Sequence, residues 1–403
     1  MAGTEKTTCC VVGGGPAGIM TGLLLARQGV PVTVLEKHAD FLRDFRGDTI
    51  HPSTLELLHE LGWLEEFLEL PHTKLRQITA DIDGDRVVFA DFGRLALECP
   101  YVAFMPQWDF LSFMAEKARG YDGFTLHMRA EATGLIEEGE RVVGVRVETE
   151  DGRLDVRCSL VVGADGRDSR IRDAAGLEVV TSAVPMDVLW FRLDRLRDEQ
   201  RPFFTPGGSH FLISIDRGTY WQIAYVIPKG GYEEAKASGL HALRATIGRL
   251  VPDFAGRLEA LRTWEDVRVL SVRVDHLRRW FRPGLICIGD AAHAMSPAGG
   301  VGINLAIQDA VATANMLGPA LATGRTPSRR ELRGLQRRRY FPARITQIVQ
   351  IRAGADLLSG SPGGAAPHRL PVVLRLLRRF PVLRHVTGWF VGRGVRPEHV
   401  SSA

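Results

Sequence analysis

A glycine-rich turn near the N-terminus constrains the fold of this chain more than any other feature. The segment Gly13-Gly14-Gly15-Pro16-Ala17-Gly18 lies between an apolar stretch at 7–12 and a helical pattern at 19–28. In GxGxxG spacing, the first glycine permits a tight turn, the second lets the backbone approach a pyrophosphate, and the third lets helix and strand touch. The helix start offers free N–H groups to the anion. The pattern predicts a βαβ unit that binds a dinucleotide.

An acidic residue follows the second strand of this unit. Glu36 comes directly after the apolar stretch 32–35, where its carboxylate is placed to accept hydrogen bonds from the adenosine ribose hydroxyls. Lys37, the next residue, is a further candidate contact with the cofactor. The motif alone does not distinguish FAD from NAD.

A second glycine-rich segment, at 284–310, makes that distinction. A buried strand there ends at an acid, which can bind a polyol chain, and glycines open a helix rich in alanine. The N–H groups of a helix start can face the N1–C2 edge of a flavin, where the reduced ring carries negative charge. An NAD enzyme has no evident use for this second site, so the sequence predicts FAD. The candidate contacts are Gly289, Asp290, Pro297, Gly300, Gly302, Ile303 and Asn304.

At these residues the chain resembles the class A FAD-dependent monooxygenases, the p-hydroxybenzoate hydroxylase-like family of aromatic hydroxylases. The resemblance runs from residue 7 to about 315 and includes GADGRDSRIR at 163–172, which matches the DGxxSxxR element of the family. It implies that Asp165 contacts FAD, that Gln107 lies beside the ADP ribose, and that Arg46 binds FAD and takes part in its reduction. Pro297 would line the flavin face, and no catalytic acid or base is implied.

The resemblance also implies the reaction. We expect a single-component monooxygenase that binds FAD, takes electrons transiently from NADPH or NADH, and hydroxylates a phenol-like or polyketide-like aromatic with O2 through a flavin C4a-hydroperoxide. One alternative is different flavin chemistry on the same scaffold, namely epoxidation, dehalogenation, halogenation or isoprenoid reduction. An alternative of another class is a flavin-binding regulatory protein without turnover.

The order of strand and helix patterns predicts an α/β fold with two domains and a tail. A discontinuous Rossmann-like FAD-binding domain is expected at 1–75, 100–177 and 277–345. Period-two patterns predict a substrate-binding β-sheet domain at 76–99 and 178–276, because side chains alternate between the faces of a strand. Residues 346–403 should form a helical C-terminal segment.

Charge and cysteine usage exclude several other classes. A net charge of +4 is too close to balance to predict nucleic-acid binding. Five dispersed cysteines predict neither a metal site nor disulfides, but reduced thiols in a cytoplasmic protein. No apolar run approaches the ~20 residues that span a bilayer. The Arg-rich C-terminus is interpreted as a helix that covers the substrate domain and has a solvated basic face, with contact to an anionic membrane surface or a lipid substrate as the alternative. Monomer and homodimer both stay open.

Several side chains have a functional and a structural interpretation. His293 could be a base, but we expect it to be structural and bonded to backbone. Trp190 and Phe191 are neighbours on a strand, so at most one of them reaches a given pocket. The other candidates for the pocket are the polar residues Arg43, His51 and His210, and the aromatic residues Phe211, Tyr220 and Tyr225.

Overall fold

The structure is a computed structural model that describes residues 3–42, 49–82, 85–207, 209–358, 379–380 and 382–401. Its strands are numbered β1 to β22 and its α-helices α1 to α10 in chain order. They form an α/β fold with a mainly parallel sheet, an antiparallel sheet and a helical C-terminal part, which confirms the predicted fold class.

The mainly parallel sheet carries the glycine-rich turns at its edge. Its strands, in spatial order, are β21 (Phe281–Arg282), β22 (Leu285–Cys287), β13 (Leu160–Gly163), β2 (Cys9–Val12), β3 (Val32–Leu35) and β9 (Phe124–His127). Only β21 is antiparallel to its neighbour. Nearly every residue of the central strands is buried, as expected when helices cover a parallel sheet.

Helices of the same domain pack beside this sheet. Helix α1 (Pro16–Arg27) contacts both α4 (Gln107–Arg119) and α8 (Val301–Ala322). Helix α8 ends at Ala322, and Pro319 lies in its last turns, where the proline costs the helix one hydrogen bond.

A smaller four-stranded sheet adjoins this domain. Its order is β1 (Gly3–Lys6), β12 (Gly152–Arg157), β11 (Arg141–Thr149) and β10 (Glu131–Glu138). Strands β11 and β12 form a hairpin around Asp151–Gly152. Strand β1 was missed because GTEK has no apolar alternation; it is an edge strand held by parallel pairing with β12.

A seven-stranded sheet forms the second part of the molecule. Its order is β19 (Arg268–Leu270), β15 (Met186–Asp194), β18 (Tyr220–Pro228), β17 (Phe211–Asp216), β16 (Phe204–Pro206), β6 (Gln77–Ile82) and β7 (Asp85–Asp91). One face buries an apolar cluster with α7 (Leu240–Leu250), and α6 (Gly231–Ala237) lies next to α7. The β6–β7 hairpin is as predicted, and its turn at 83–84 lies outside the described residues.

Two small sheets and the remaining helices connect these parts. The sheets are β4 (Thr49–Ile50), β8 (Val102–Phe104) and β5 (Thr73–Leu75), and the pair β14 (Val179–Ser182) and β20 (Val274–Leu277). The helices are α2 (Pro52–Glu60), α3 (Leu64–Leu68), α5 (Arg170–Ala174), α9 (Arg329–Leu358) and α10 (Leu383–Gly392). In the described part of the chain, no helix is both long and apolar enough to cross a membrane. Most of the Arg-rich segment, at 359–378, lies outside the described residues.

Candidate active site

The first glycine-rich turn is shaped by close backbone contacts. Gly13 has a φ of +106°, and a Cβ there would lie 2.4 Å from the carbonyl oxygen of Ala164. A Cβ on Gly18 would lie 1.8 Å from the carbonyl oxygen of Gly13, so α1 presses directly on the turn. Both positions therefore require glycine for packing within the protein itself.

Gly15, the second glycine of the GxGxxG spacing, differs because no close contact within the protein requires a glycine at this position. Gly15 is the N-cap residue of α1, has an ordinary φ of −74°, and has no atom within 4 Å of where a Cβ would be. Pro16 follows at the first helical position, and no side chain caps the helix. The first N–H groups of α1 thus face open space where an anion can approach, so the turn fits a dinucleotide pyrophosphate.

Glu36 is buried beside this turn. One carboxylate oxygen accepts a hydrogen bond from the Gly14 N–H at 2.9 Å, and the other accepts from the His38 N–H at 3.0 Å. Because a carboxylate can accept about four hydrogen bonds, holding the turn is compatible with accepting a ribose hydroxyl as well. Lys37 is exposed.

The loop after β13 is held together by Asp165. One carboxylate oxygen accepts from the Ser169 hydroxyl at 2.5 Å, and the other accepts from the Ile171 N–H at 3.1 Å. Burial raises the pKa of Asp165, although these hydrogen bonds oppose the rise. Its neighbours Gly166 and Arg167 line the cavity described below, whereas Asp165 accepts from an N–H in the first turn of α5, whose N-cap residue is Ser169. The predicted contact between Asp165 and FAD stays a prediction.

The second glycine-rich segment forms two short turns before α8. A 3-10 turn at Gly289–Ala291 presents Asp290 to the cavity, where the Arg167 guanidinium lies 3.4 Å from its carboxylate. A second turn at Ala298–Gly300 follows Pro297, and both of its glycines have positive φ. Pro297, Gly300, Gly302 and Ile303 all line the same cavity.

Asn304 is fully engaged by the protein. Its side-chain oxygen accepts from the His51 N–H at 3.0 Å and from the Thr54 hydroxyl at 2.7 Å. Its amide nitrogen donates to the carbonyl oxygens of Thr49 and Gly300. These contacts fasten the first turn of α8 to residues 49–54. The Asn304 side chain therefore has a structural function. The predicted contact between Asn304 and FAD stays a prediction.

His293 is structural, but its partner was predicted wrongly. The ring is buried, and its Nε2 lies 2.5 Å from a carboxylate oxygen of Asp309 rather than against a backbone group. Asp309 also accepts from the Gly289 N–H at 3.0 Å and from Arg339 Nε at 2.9 Å. Burial alone would raise the pKa of Asp309, but His293 and Arg339 outweigh burial and lower it. A buried carboxylate stays charged when it is paired in this way.

A cavity of about 330 Å³ extends from these turns to the seven-stranded sheet. Gly15, Gln107 and Asp290 lie at one end. The other end is apolar and is lined by Leu75, Ile78, Val102, Phe104, Met186, Val188, Trp190, Phe203, Phe211, Ile213, Ile215, Ala224, Val226, Leu270 and Val391. Residues of the glycine-rich turns and an apolar lining therefore border one space.

The predicted pocket residues divide as strand alternation requires. Trp190 faces the cavity, whereas Phe191 is buried in the apolar cluster on the opposite face of the sheet. Tyr225 belongs to that same cluster, and His210 lies against the Tyr225 ring with a centroid distance of 5.3 Å. Neither of these two lines the cavity. Tyr220 is also absent from the cavity wall and lies beneath the Arg192 guanidinium.

His51 does line the cavity, and it is buried. Its Nδ1 lies 2.8 Å from the carbonyl oxygen of Val391, so Nδ1 donates this hydrogen bond. Burial lowers the pKa of His51 to about 4, although the carbonyl groups of Val391 and Gly299 oppose the change. The ring is therefore neutral at physiological pH. Arg43 and Arg46, the other candidates before α2, lie outside the described residues.

Sequence reasoning missed Gln222 in the cavity wall. It is 3% exposed and lies on β18 among apolar residues that face the cavity. The available signal was a polar residue at an alternating position of the otherwise apolar segment at 221–227, which a buried strand tolerates only when that residue finds a partner. Among the described residues, no group of three or more metal-ligand side chains is assembled.

Comparison with known proteins now decides the family. The model of the FAD binding domain family matches residues 6–348. The chain is 34% identical over 382 residues to 6-methylpretetramide 4-monooxygenase of Streptomyces rimosus, covering 94% of this chain and 91% of the relative. The chain belongs to the class A FAD-dependent aromatic monooxygenases.

Solved structures agree with this assignment. OxyS anhydrotetracycline hydroxylase from Streptomyces rimosus superposes with a TM-score of 0.76 at 23% identity, covering 96% of this chain and 76% of that one. CabE, an aromatic hydroxylase from angucycline biosynthesis, gives a TM-score of 0.73 at 26% identity with the same coverage. The family confirms FAD as cofactor, NAD(P)H as reductant and aromatic hydroxylation as the reaction of this monooxygenase.

Proposed function

We propose that this monooxygenase hydroxylates a flat, polycyclic, polyketide-type aromatic compound. The observation that carries the proposal is the cavity, whose apolar end is one face of a sheet and whose other end opens on the glycine-rich turns. A sheet face offers a broad apolar surface to a planar ring system. Relatives named for pretetramide and tetracycline oxidation support a fused-ring substrate over a single phenol ring.

We also propose which residues hold the cofactor. Open space at Gly15 supports the pyrophosphate at the start of α1, and the buried carboxylate of Glu36 supports the ribose. The placement of Asp290 in the cavity supports a contact with the polyol chain. Lys37 and Gln107 are proposed at the adenosine end. Arg46 is proposed to act in flavin reduction.

The residues of the chain would do two things in the reaction. Bound FAD, once reduced by NAD(P)H, would activate O2 so that one oxygen atom is transferred to the substrate. The N–H groups at the start of α8, after Gly300, would favour negative charge on the reduced flavin. Pro297 and the apolar wall exclude water from the space between cofactor and substrate.

The domain boundaries and the cellular setting belong to the same proposal. The discontinuous FAD-binding domain at 1–75, 100–177 and 277–345 and the substrate domain at 76–99 and 178–276 meet at the cavity. A cytoplasmic location is supported by five free cysteines, four of which are buried. A monomer or a homodimer is compatible with these features.

A substrate screen tests the proposed function. Oxidation of NADPH and of NADH and consumption of O2 are followed with single-ring phenols, hydroxyanthraquinones and hydroxynaphthacene compounds, and products are identified by mass spectrometry. We expect fused-ring phenols to accelerate NAD(P)H oxidation most and to gain one oxygen atom. Product formation without O2 uptake, or only with added halide, would favour the alternative chemistries. No acceleration by any aromatic compound would contradict the proposal.

Two glycine substitutions test the cofactor site. Gly15→Ala places a methyl group where only the pyrophosphate would be, so we expect the apoprotein to melt within about 2 °C of wild type but to bind FAD at least about tenfold more weakly. Gly18→Ala is the contrasting variant, because its methyl group meets the Gly13 carbonyl oxygen and should destabilise the apoprotein itself. Wild-type FAD affinity in Gly15→Ala would exclude the proposed pyrophosphate position.

A further inference from the structure

One polar side chain interrupts the apolar wall that the seven-stranded sheet gives to the cavity. Gln222 is 3% exposed, and the other described residues of that sheet in the wall are aliphatic or aromatic. Apolar side chains cannot satisfy an amide, and a buried polar group is normally paired. The amide of Gln222 therefore needs hydrogen-bond partners, and the neighbouring groups determine which partners are available.

Arg217 fixes the orientation of this amide. The Arg217 Nε–H donates a hydrogen bond to Gln222 Oε1 at 2.8 Å. A guanidinium only donates, so the amide oxygen must face Arg217 and the amide nitrogen must face away from it. No described residue accepts a hydrogen bond from that nitrogen, although Gln222 lines the cavity. The two N–H groups of the amide are thus the donors available to a cavity ligand.

Strand pairing places this donor at the end of a flat surface. Gln222 pairs with Ile215 of β17, and two residues along β18 Ala224 pairs with Ile213 of β17 and Trp190 of β15. All of these line the cavity. Positions two apart on a strand are separated by about 7 Å, which is the scale of a fused ring. The small Ala224 leaves room for a ring between Trp190 and Ile213, with Gln222 beyond its edge.

We propose that Gln222 donates a hydrogen bond to a carbonyl or phenolate oxygen of the fused-ring substrate and thereby selects the carbon that is hydroxylated. This inference rests on the proposed function. A ligand oxygen would accept hydrogen bonds from these N–H groups, for which no described residue provides an acceptor. An aromatic compound without an oxygen acceptor leaves the amide unsatisfied and lacks this anchor.

The test compares two probes of one ring skeleton. Binding of 9,10-anthraquinone, which has two carbonyl acceptors, and of anthracene, which has none, is measured on the FAD-loaded full chain by the change in flavin absorption. For Gln222→Leu we expect the Kd of anthraquinone to rise about fivefold to tenfold and the Kd of anthracene to stay within about twofold of wild type. For the best substrate of the screen, we expect the ratio of hydroxylated isomers to change.

A second variant keeps the inference testable if Gln222→Leu folds poorly. Gln222→Glu retains an acceptor for Arg217 but turns an oxygen towards the cavity, so anthraquinone binding should weaken at least as much. Ser214→Ala is the matched control, because Ser214 is a buried polar residue of β17 whose side chain lies on the other face of the sheet. Its Kd values should equal those of wild type.

The outcomes separate this inference from the proposed function. If wild type binds anthraquinone and both Gln222 variants bind it equally well, the inference is wrong and the proposed function stands. If wild type binds neither probe and no aromatic compound stimulates NAD(P)H oxidation, the proposed function fails and the inference fails with it.

Discussion

At the scale of single residues, burial decides what His51 can do. Its ring lines the cavity, its Nδ1 is bonded to Val391, and its pKa is lowered to about 4. With its one N–H donated to Val391, the neutral imidazole has only Nε2 left as an acceptor, and it adds no charge to the cavity. The sequence predicted His51 as a polar candidate for the pocket. Its uncharged state follows from burial, which only the structure shows.

The low pKa of His51 predicts how stability depends on pH. Because the folded-state pKa of about 4 lies below the ordinary value of 6.5, the unfolded chain takes up the proton first as the pH falls. The stability from neutral His51 is complete above pH 6.5 and is lost between about 6.5 and about 4. Between about pH 7 and pH 5, wild type should lose about 2 kcal/mol more unfolding free energy than His51→Asn.

Urea denaturation of the FAD-loaded protein at the two pH values measures this difference. His59→Asn is the matched control, because His59 lies exposed near the end of the same helix α2. That variant should follow the wild-type pH dependence. Parallel pH profiles for wild type and His51→Asn would show that folding does not lower the pKa of His51.

At the scale of elements, the alternation of β18 divides its residues between two environments. Ile223 and Tyr225 enter the apolar cluster on one face, whereas Ala224 and Val226 line the cavity on the other. The smallest of them, Ala224, lies in the middle of the cavity wall. Its size therefore sets the width available to a ring system.

A larger side chain at position 224 should block the apolar end of the cavity and leave the end at the glycine-rich turns unchanged. For Ala224→Phe we expect the Kd of anthraquinone to rise at least about tenfold and the Kd of FAD to stay within about twofold of wild type, because the new ring occupies space between Trp190 and Ile213. Titrations of both ligands measure this. Ala224→Ser, which adds one atom, is the control and should retain binding. Unchanged anthraquinone binding in Ala224→Phe would place the ring system elsewhere.

At the scale of the whole molecule, a buried series of ion pairs connects Glu398 to the turn at Gly289–Ala291. Glu398 lies 3.1 Å from Arg339, Arg339 lies 2.9 Å from Asp309, and Asp309 holds the Gly289 N–H and His293. All of these side chains are almost fully buried. Residues from α8, α9 and the last few positions thus fix the turn that presents Asp290.

These ion pairs predict that substitutions of Asp309 and Arg339 have coupled effects on the unfolding free energy. Asp309→Asn removes a buried charge and should lower the unfolding free energy by about 3 kcal/mol or more, because the Arg339 guanidinium loses one of its two buried carboxylate partners. Arg339→Met should have a comparable effect. The double variant should be less destabilised than the sum of the two, as urea denaturation of the FAD-loaded proteins will measure. Additive losses would show that the two residues act independently.

The sequence predicted those parts of the fold and site that local chemistry encodes. The sequence alone predicts a tight turn with glycine at positions 13 and 18, and an acid after the second strand. It also predicts the alternation of side chains in the seven-stranded sheet. Strand β1 was missed because a polar edge strand has no pattern of its own. The carboxylate partner of His293 was missed because Asp309 lies on another element.

By itself, the sequence determined the βαβ unit, the second glycine-rich turn and the family, because these depend on backbone conformations that only certain residues permit at fixed spacing. Only the tertiary structure decided which polar groups are already used by the protein, as at Asn304, and which face the cavity, as at Gln222. A hydrogen bond joins groups distant in sequence, and its partner is set by packing. The role in specificity that we propose for Gln222 therefore depends on contacts that no local pattern encodes.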